Sequence, residues 1–419
     1  MAGIRTRISV IVDVFNSRTA SNYEEYLFMA FCFKQKIRQS DMTTIYRRVF
    51  RIVKFLDARS KFLIRLGKLE SFLLWFKLRK AEKPKPIYIC GLARAGTTIT
   101  SILLGEHPDT FTHQTREVIC PYLPYLFNHL APKTPFFASN IERLQQDGLQ
   151  INPLTPHAVE EMIWMQFFQT IHDENSTVVL DNTISNSNFE QFYTKSIQKM
   201  RMAKGGSRYV TKNNYNVTRI EYLVKLFPDA RFLIMIRQPE NHIASLLRQD
   251  HFFCQMQPET VGLVRLLGHY ECGQDRRLIN VGNDAVIREI WELWQTGETV
   301  RGWARYWTSV YGFLADKLNE NERLKKACMV VRYEDLCGSA GPMIDRILAH
   351  TGLPADIFQR TRNQFAKNLH LPTYYQPNLS DQELKIIEEE TSAVASRFGY
   401  LTNKVFPGMP MENQIYTVC

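Results

Sequence analysis

The sequence predicts an α/β fold: a mainly parallel sheet flanked by helices, with a helical extension ahead of it. Three features carry the prediction. Short apolar runs rich in β-branched residues, at 87–90, 177–180, 208–211, 231–236 and 328–332, alternate with helix-like stretches such as 98–104, 158–170, 217–226 and 241–249. Near-continuous apolar strands separated by helices read as a sheet covered on both faces. A glycine turn, Gly91 to Gly96, follows the first run and leads into a helix start. Before all of these lies a basic stretch with helical periodicity.

That stretch sets the first boundary. Ile45, Val53, Leu56, Leu63, Leu66, Leu69, Leu73 and Phe76 recur at steps of three, four, seven or eight, as on one helix face. Pro84 and Pro86 end the pattern. The expected organisation is a basic helical extension over 1–85, an α/β domain over 86–401 and a tail over 402–419. Within the domain, 379–397 reads as a helix with Ser380 as its N-cap.

With 45% hydrophobic and 22% charged residues, the composition is that of a soluble globular protein. No run approaches the ~18 uncharged apolar residues of a membrane span; the nearest, 62–78, holds Arg65, Lys68, Glu70 and Lys77. The N-terminal apolar run contains Asp13 and lacks a cleavage site, so no signal peptide is expected. Eight scattered cysteines form no CxxC pair, which fits reduced thiols in the cytoplasm and gives no zinc or redox motif. The net charge is +10, yet residues 34–85 alone hold 16 Lys and Arg against four acids, leaving the rest near −2. A surplus confined to one segment argues against nucleic acid as partner. Two readings of residues 34–85 remain: an amphipathic surface resting on anionic membrane or a partner, or a helical cap with a solvated basic face.

Two motifs carry chemistry. The first is Gly91-Leu-Ala-Arg94-Ala95-Gly96-Thr97-Thr98 after a strand. Glycines let the backbone wrap a tetrahedral anion, and a helix N-terminus offers N–H groups and about +0.5 charge to it. The spacing GxxxxG suits a nucleotide phosphate loop, but Thr97 stands where an NTPase loop needs lysine. In the second motif a strand ends at Arg237, Pro239 opens a helix, and Ser245 lies eight residues on. A strand-end Arg sits at the edge where open α/β sheets bind ligands, with a fork suited to phosphate.

Together these motifs resemble the PAPS-dependent sulfotransferase superfamily, with its P-loop NTPase-like fold (PAPS is 3′-phosphoadenosine 5′-phosphosulfate). The resemblance covers residues 87–401 and leaves out the first 85. It implies that the loop (Gly91, Arg94, Ala95, Gly96, Thr97 and Thr98) holds the 5′-phosphosulfate, with Arg94 near the bridging oxygen. Ala95 replaces the usual Ser, so a side-chain contact is missing there. Arg237 and Ser245 correspond to the pair that binds the 3′-phosphate, and Tyr333 lies near the adenine in many members. Lys212, at a strand end, corresponds to a lysine that touches the transferring sulfuryl group. Glu117 and then His113 match, by region, the place of a catalytic base; a salt bridge of Glu117 with Arg116 is the competing reading. The expected activity is sulfuryl transfer to a hydroxyl or amine, with release of PAP (3′-phosphoadenosine 5′-phosphate) and no metal. The acceptor, small molecule, carbohydrate, lipid or peptide, is left open, because 121–140 and 252–302 carry no signature. The rival functions are a nucleotide kinase or NTPase, against which the missing lysine argues, and a non-catalytic membrane or partner adaptor.

Overall fold

A run of four residues with no exposed surface, Ile87–Cys90, forms strand β1 at the centre of a five-stranded sheet. The structure is a computed structural model that describes residues 42–130, 141–142, 149–371 and 378–400, with side chains from Arg47 onward and only backbone at 141–142. The other strands are β2 (Thr110–Thr112), β3 (Arg208–Lys212), β4 (Arg231–Ile236) and β5 (Cys328–Arg332). Their order is β2-β3-β1-β4-β5, and every pairing is parallel. Alternation along β1 divides the core. Ile87 and Ile89 pack with Leu103, Val210, Leu233 and Ile344 on one face. Tyr88 and Cys90 pack with Tyr209, Phe232, Trp307 and Tyr311 on the other. With both faces covered, the strands read as continuous apolar runs, as the sequence predicts.

Four of the five expected strands are present. The run 177–180 is a connector instead. Only Val178 in it is buried, and single hydrogen bonds tie it to loops, Val178 N–H to the Asn280 carbonyl at 3.0 Å and Leu180 N–H to the Thr218 carbonyl at 2.9 Å. A strand with one buried residue in four has no place inside this sheet. The edge strand β2 replaces it; three residues are too few for periodicity to reveal. The helix expected at 158–170 shortens to Glu160–Phe167, and 217–226 becomes a 3-10 turn, Asn214–Thr218, followed by Ile220–Leu226. The C-terminal helix Asp381–Arg397 is present, capped reciprocally by Ser380 and Glu383.

The basic extension forms three helices, α1 (Met42–Asp57), α2 (Ser60–Leu73) and α3 (Trp75–Lys80). Residues 1–41 and 401–419, within the expected extension and tail, lie outside the described residues. The buried face of the helices differs from the expected one. Leu63 is buried and Leu66 partly so, but Leu69 and Phe76 are exposed. Ser60, Gly67, Glu70 and Ser71 face inward instead. At Gly67 a Cβ would collide with the Tyr122 carbonyl, so close packing selects glycine over a larger residue there. The Glu70 carboxylate is held by the fully buried Lys199 at 2.7 Å and accepts from Leu126 N–H. Val53 of α1 packs with Val118, Val159, Met162 and Leu263, and Leu63 and Ile64 join the main core, so these helices share the body's interior.

Removing one partner of a buried ion pair leaves an uncompensated charge. Lys199→Met is expected to lower the unfolding free energy by about 3 kcal/mol, and Lys199→Met with Glu70→Leu to recover most of it, measured by urea denaturation.

Candidate functional site

The carboxyl edge of the sheet gathers the sequence motifs. β1 runs into Gly91, β3 ends at Lys212, β4 leads to Arg237 and β5 to Tyr333. Because β3 and β4 leave β1 on opposite sides, the crevice of an open α/β sheet lies here.

The loop is shaped by close approach. Gly91 has φ of 143°, and a Cβ there would collide with the Met235 carbonyl. Tyr311 bridges both strands: its hydroxyl accepts from Leu92 N–H at 3.3 Å and donates to the Met235 carbonyl at 2.9 Å. Arg94 has φ of 74°, the one positive value outside glycine among the described residues. Such conformations persist where the surroundings over-determine them. His242 buttresses the turn. Trp307 donates to its Nδ1 at 3.1 Å, so Nε2 carries the proton and donates to the Ala93 carbonyl at 2.8 Å. Burial, with the Arg237 and Arg94 charges, pushes the His242 pKa down to about 3. The ring therefore stays neutral and holds this tautomer.

Gly96 then adopts φ of 95° as the N-cap of the helix Thr97–Gly105, and no side chain caps that end. A helix N-terminus of this kind is a general anion site. A Cβ on Gly96 would come within 2.6 Å of the Tyr333 ring, so Tyr333 closes the loop's outer side. The two motifs meet directly: Arg94 Nε donates to Ser245 Oγ at 3.1 Å. Arg237 is buried, with its guanidinium 5.0 Å from the centre of the Tyr333 ring. Its Nε has no hydrogen-bond partner among the described residues. A buried, unsatisfied guanidinium nitrogen beside a phosphate-shaped loop fits an anionic ligand group.

Glu117 and His113 also meet, but in a different setting. His113 Nδ1 lies 2.8 Å from the Glu117 carboxylate, which also pairs with Lys204. Arg116 does not pair with Glu117; it bonds Gln114 and Asn128. Both His113 and Glu117 are buried. Burial raises the Glu117 pKa, yet the Lys204 ammonium and His113 outweigh it and hold it at about 2. The carboxylate is enclosed between these two partners.

A second His–Glu pair was not foreseen. Thr97 Oγ1 donates to Asn214 Oδ1 at 3.4 Å, and Asn214 Nδ2 donates to Glu271 at 2.8 Å. The same carboxylate lies 3.6 Å from His269 Nδ1. Burial raises the Glu271 pKa, but His269 and the Lys212 charge more than offset it and hold it at about 2. The His269 side chain is 25% exposed, and the His157 ring stands edge-on to it at 6.3 Å. The spacing His269-Tyr270-Glu271 was the one sequence signal, within a loop otherwise without signature. Asn213 and Asn214, directly after Lys212, were the other half. Asn213 is anchored to the buried Glu161, which also takes both Arg219 nitrogens at 2.7 and 2.8 Å. Among the described residues no three His, Cys, Asp or Glu side chains converge as a metal set.

Residues 86–277 match the model of the sulfotransferase family. Solved structures similar to this chain include two mycobacterial sulfotransferases. One from Mycobacterium tuberculosis shares 15% identity over 80% of this chain and 85% of that one, with a TM-score of 0.41. One from Mycobacterium avium shares 15% over 78% and 80%, with a TM-score of 0.45. No curated protein matches the chain. The matched segment contains the loop, Lys212, Arg237, Ser245 and the His269–Glu271 pair, whereas Tyr333 lies beyond it.

The Glu117 cluster makes a pH prediction. A carboxyl whose folded pKa is depressed contributes stability above its unfolded value, near 4.5, and that contribution is lost as pH falls towards about 2. Glu117→Gln is expected to be less stable than wild type at pH 7, with the difference shrinking between those limits, followed by thermal unfolding across pH.

Proposed function

We propose that the chain transfers a sulfuryl group from PAPS to a hydroxyl or amine of an acceptor and releases PAP. The observation that carries this reading is Arg237, buried with an unpartnered Nε, next to a loop whose own cation, Arg94, already touches Ser245. Such an arrangement suits a ligand with two separate phosphate positions. The first-turn N–H groups after Gly96 would hold the 5′-phosphosulfate. Arg237 and Ser245 would hold the 3′-phosphate, and Tyr333 would keep Arg237 in place by stacking. When bound, PAPS supplies an activated sulfuryl group with PAP as its leaving group. Arg94 would stabilise charge developing on the leaving side, and Lys212 would neutralise the sulfuryl oxygens. No metal takes part in this reading.

The base is assigned to His269. Among the two His–Glu pairs, this one is linked through Asn214 to Thr97 of the loop and remains open to solvent. Glu271 orients the imidazole and would stabilise it once it takes the acceptor's proton. His113 and Glu117 take a structural role, tying the segment after β2 to Lys204.

Arg94→Ala is expected to lower kcat by roughly 10²–10³-fold while PAP still binds. Arg237→Ala is expected to weaken PAP binding by roughly 10–100-fold, read by calorimetry. ATP hydrolysis without PAP binding would overturn the assignment. His269→Asn is expected to lower kcat by roughly 10²–10⁴-fold, with partial rescue by added imidazole, whereas His113→Asn keeps turnover near wild type. The reverse pattern, in assays with radiolabelled PAPS and a panel of acceptors, moves the base to His113.

A further inference from the structure

The outer face of α2 and α3 combines two properties that seldom coincide on a solvated surface. Six of the twelve large apolar side chains exposed among the described residues lie between Phe55 and Phe76. Phe62, Phe72, Trp75 and Phe76 are 51%, 70%, 52% and 60% exposed. All eleven Lys and Arg between 47 and 80 are exposed as well. The two acids of this stretch do not offset them: Glu70 is buried against Lys199, and Asp57 is half-buried. Cations stand level with the rings, Arg59 over Phe55 at 3.5 Å and Lys80 over Phe76 at 4.6 Å.

The spacing separates this outer face from the buried one. Phe62, Leu69 and Phe76 recur every seven residues, while Leu63, Gly67, Glu70, Leu74 and Leu78 bury the opposite side. The helices are thus occupied inward and apolar outward. An open hollow of about 530 Å³, lined by Lys77, Lys80 and Arg201 among others, adjoins α3. Arg201 there shares Glu82 at 3.0 Å, so cations outnumber acids around it.

We propose that α2 and α3 dock the enzyme on the surface of an anionic lipid bilayer, lying in the interface plane. Phe62, Leu69, Phe72, Trp75 and Phe76 would enter the headgroup boundary, and the flanking cations would meet anionic headgroups. No helix among the described residues is long and apolar enough to cross a membrane, so the contact is in-plane. Two other occupants fit less well. Residues 1–41 carry six Lys and Arg against four acids, the same sign as this face. A nucleic acid would answer the cations and leave the aliphatic and aromatic groups wet.

The test uses the full chain with vesicles of phosphatidylcholine, alone or mixed with phosphatidylglycerol. Wild type is expected to sediment with the anionic vesicles and to be released by salt. Phe72→Glu with Trp75→Glu is expected to lose at least about tenfold in partition, and Lys61→Gln with Arg65→Gln to lose affinity for anionic vesicles only. Both variants should still bind PAP, which shows that they are folded. Wild type left in the supernatant, or variants that sediment like wild type, overturns the proposal. Self-association abolished by Phe72→Glu, without vesicle binding, assigns the face to a second copy and also overturns it. Failure of PAP binding in wild type would sink the transferase reading and leave this one standing.

Discussion

The approach of the Gly91 backbone to the Met235 carbonyl is the constraint on which the candidate site depends. It brings the end of β1 against β4 with no room for a side chain. The chain then has only one way to turn, over the carboxyl edge and into the helix that follows. Tyr311 secures the contact by serving both strands, and the Trp307–His242 relay holds the carbonyl of Ala93. Arg94 pays for its left-handed backbone inside this frame and gains its contact with Ser245. A loop loosened at Gly91 would misplace the cation, the N–H groups and the Ser245 partner together.

Two His–Glu pairs in one molecule show how surroundings decide what the same chemistry does. His113–Glu117 is enclosed by Lys204 and by burial. His269–Glu271 has a similar carboxylate, but its imidazole faces solvent and its carboxylate is tied to the loop through Asn214. The difference lies in exposure and in the neighbouring charges and not in the residue types. The strand-end amides do the connecting. Asn213 fixes the exit of β3 to the buried Glu161 hub, and Asn214 next to it reaches Glu271.

The N-terminal helices follow a parallel logic. Small and polar residues, Ser60, Gly67 and Ser71, allow α2 to pack closely on the body, and the Glu70–Lys199 pair satisfies the one charge buried there. Leu63, Ile64, Leu74 and Leu78 are buried with them, whereas Phe62, Leu69, Phe72, Trp75 and Phe76 are left outside. Helix–body contact is therefore set by backbone proximity and a buried ion pair, and the outer face is free to serve another surface.

Much of this was legible in the sequence. Four strands, the loop, the strand-end Arg237 and the capped C-terminal helix followed from local patterns, because buried parallel strands, glycine turns and caps are encoded by neighbours in sequence. The run 177–180 misled, since a β-branched run signals extended backbone without saying whether a ladder receives it. Periodicity likewise marked an apolar stripe on α2 but not which stripe the body would take. Pairing across the chain was beyond local patterns altogether: Glu117 with Lys204, Asn214 with Glu271, and Arg237 with the Tyr333 ring. The sequence by itself determined the fold class, the glycine turn and the residue types around it, because those depend on backbone conformation and residue type in one stretch. Only the tertiary structure decided which carboxylate is sealed, which imidazole is open and which helix face looks outward, because burial and charge pairing arise between segments more than fifty residues apart.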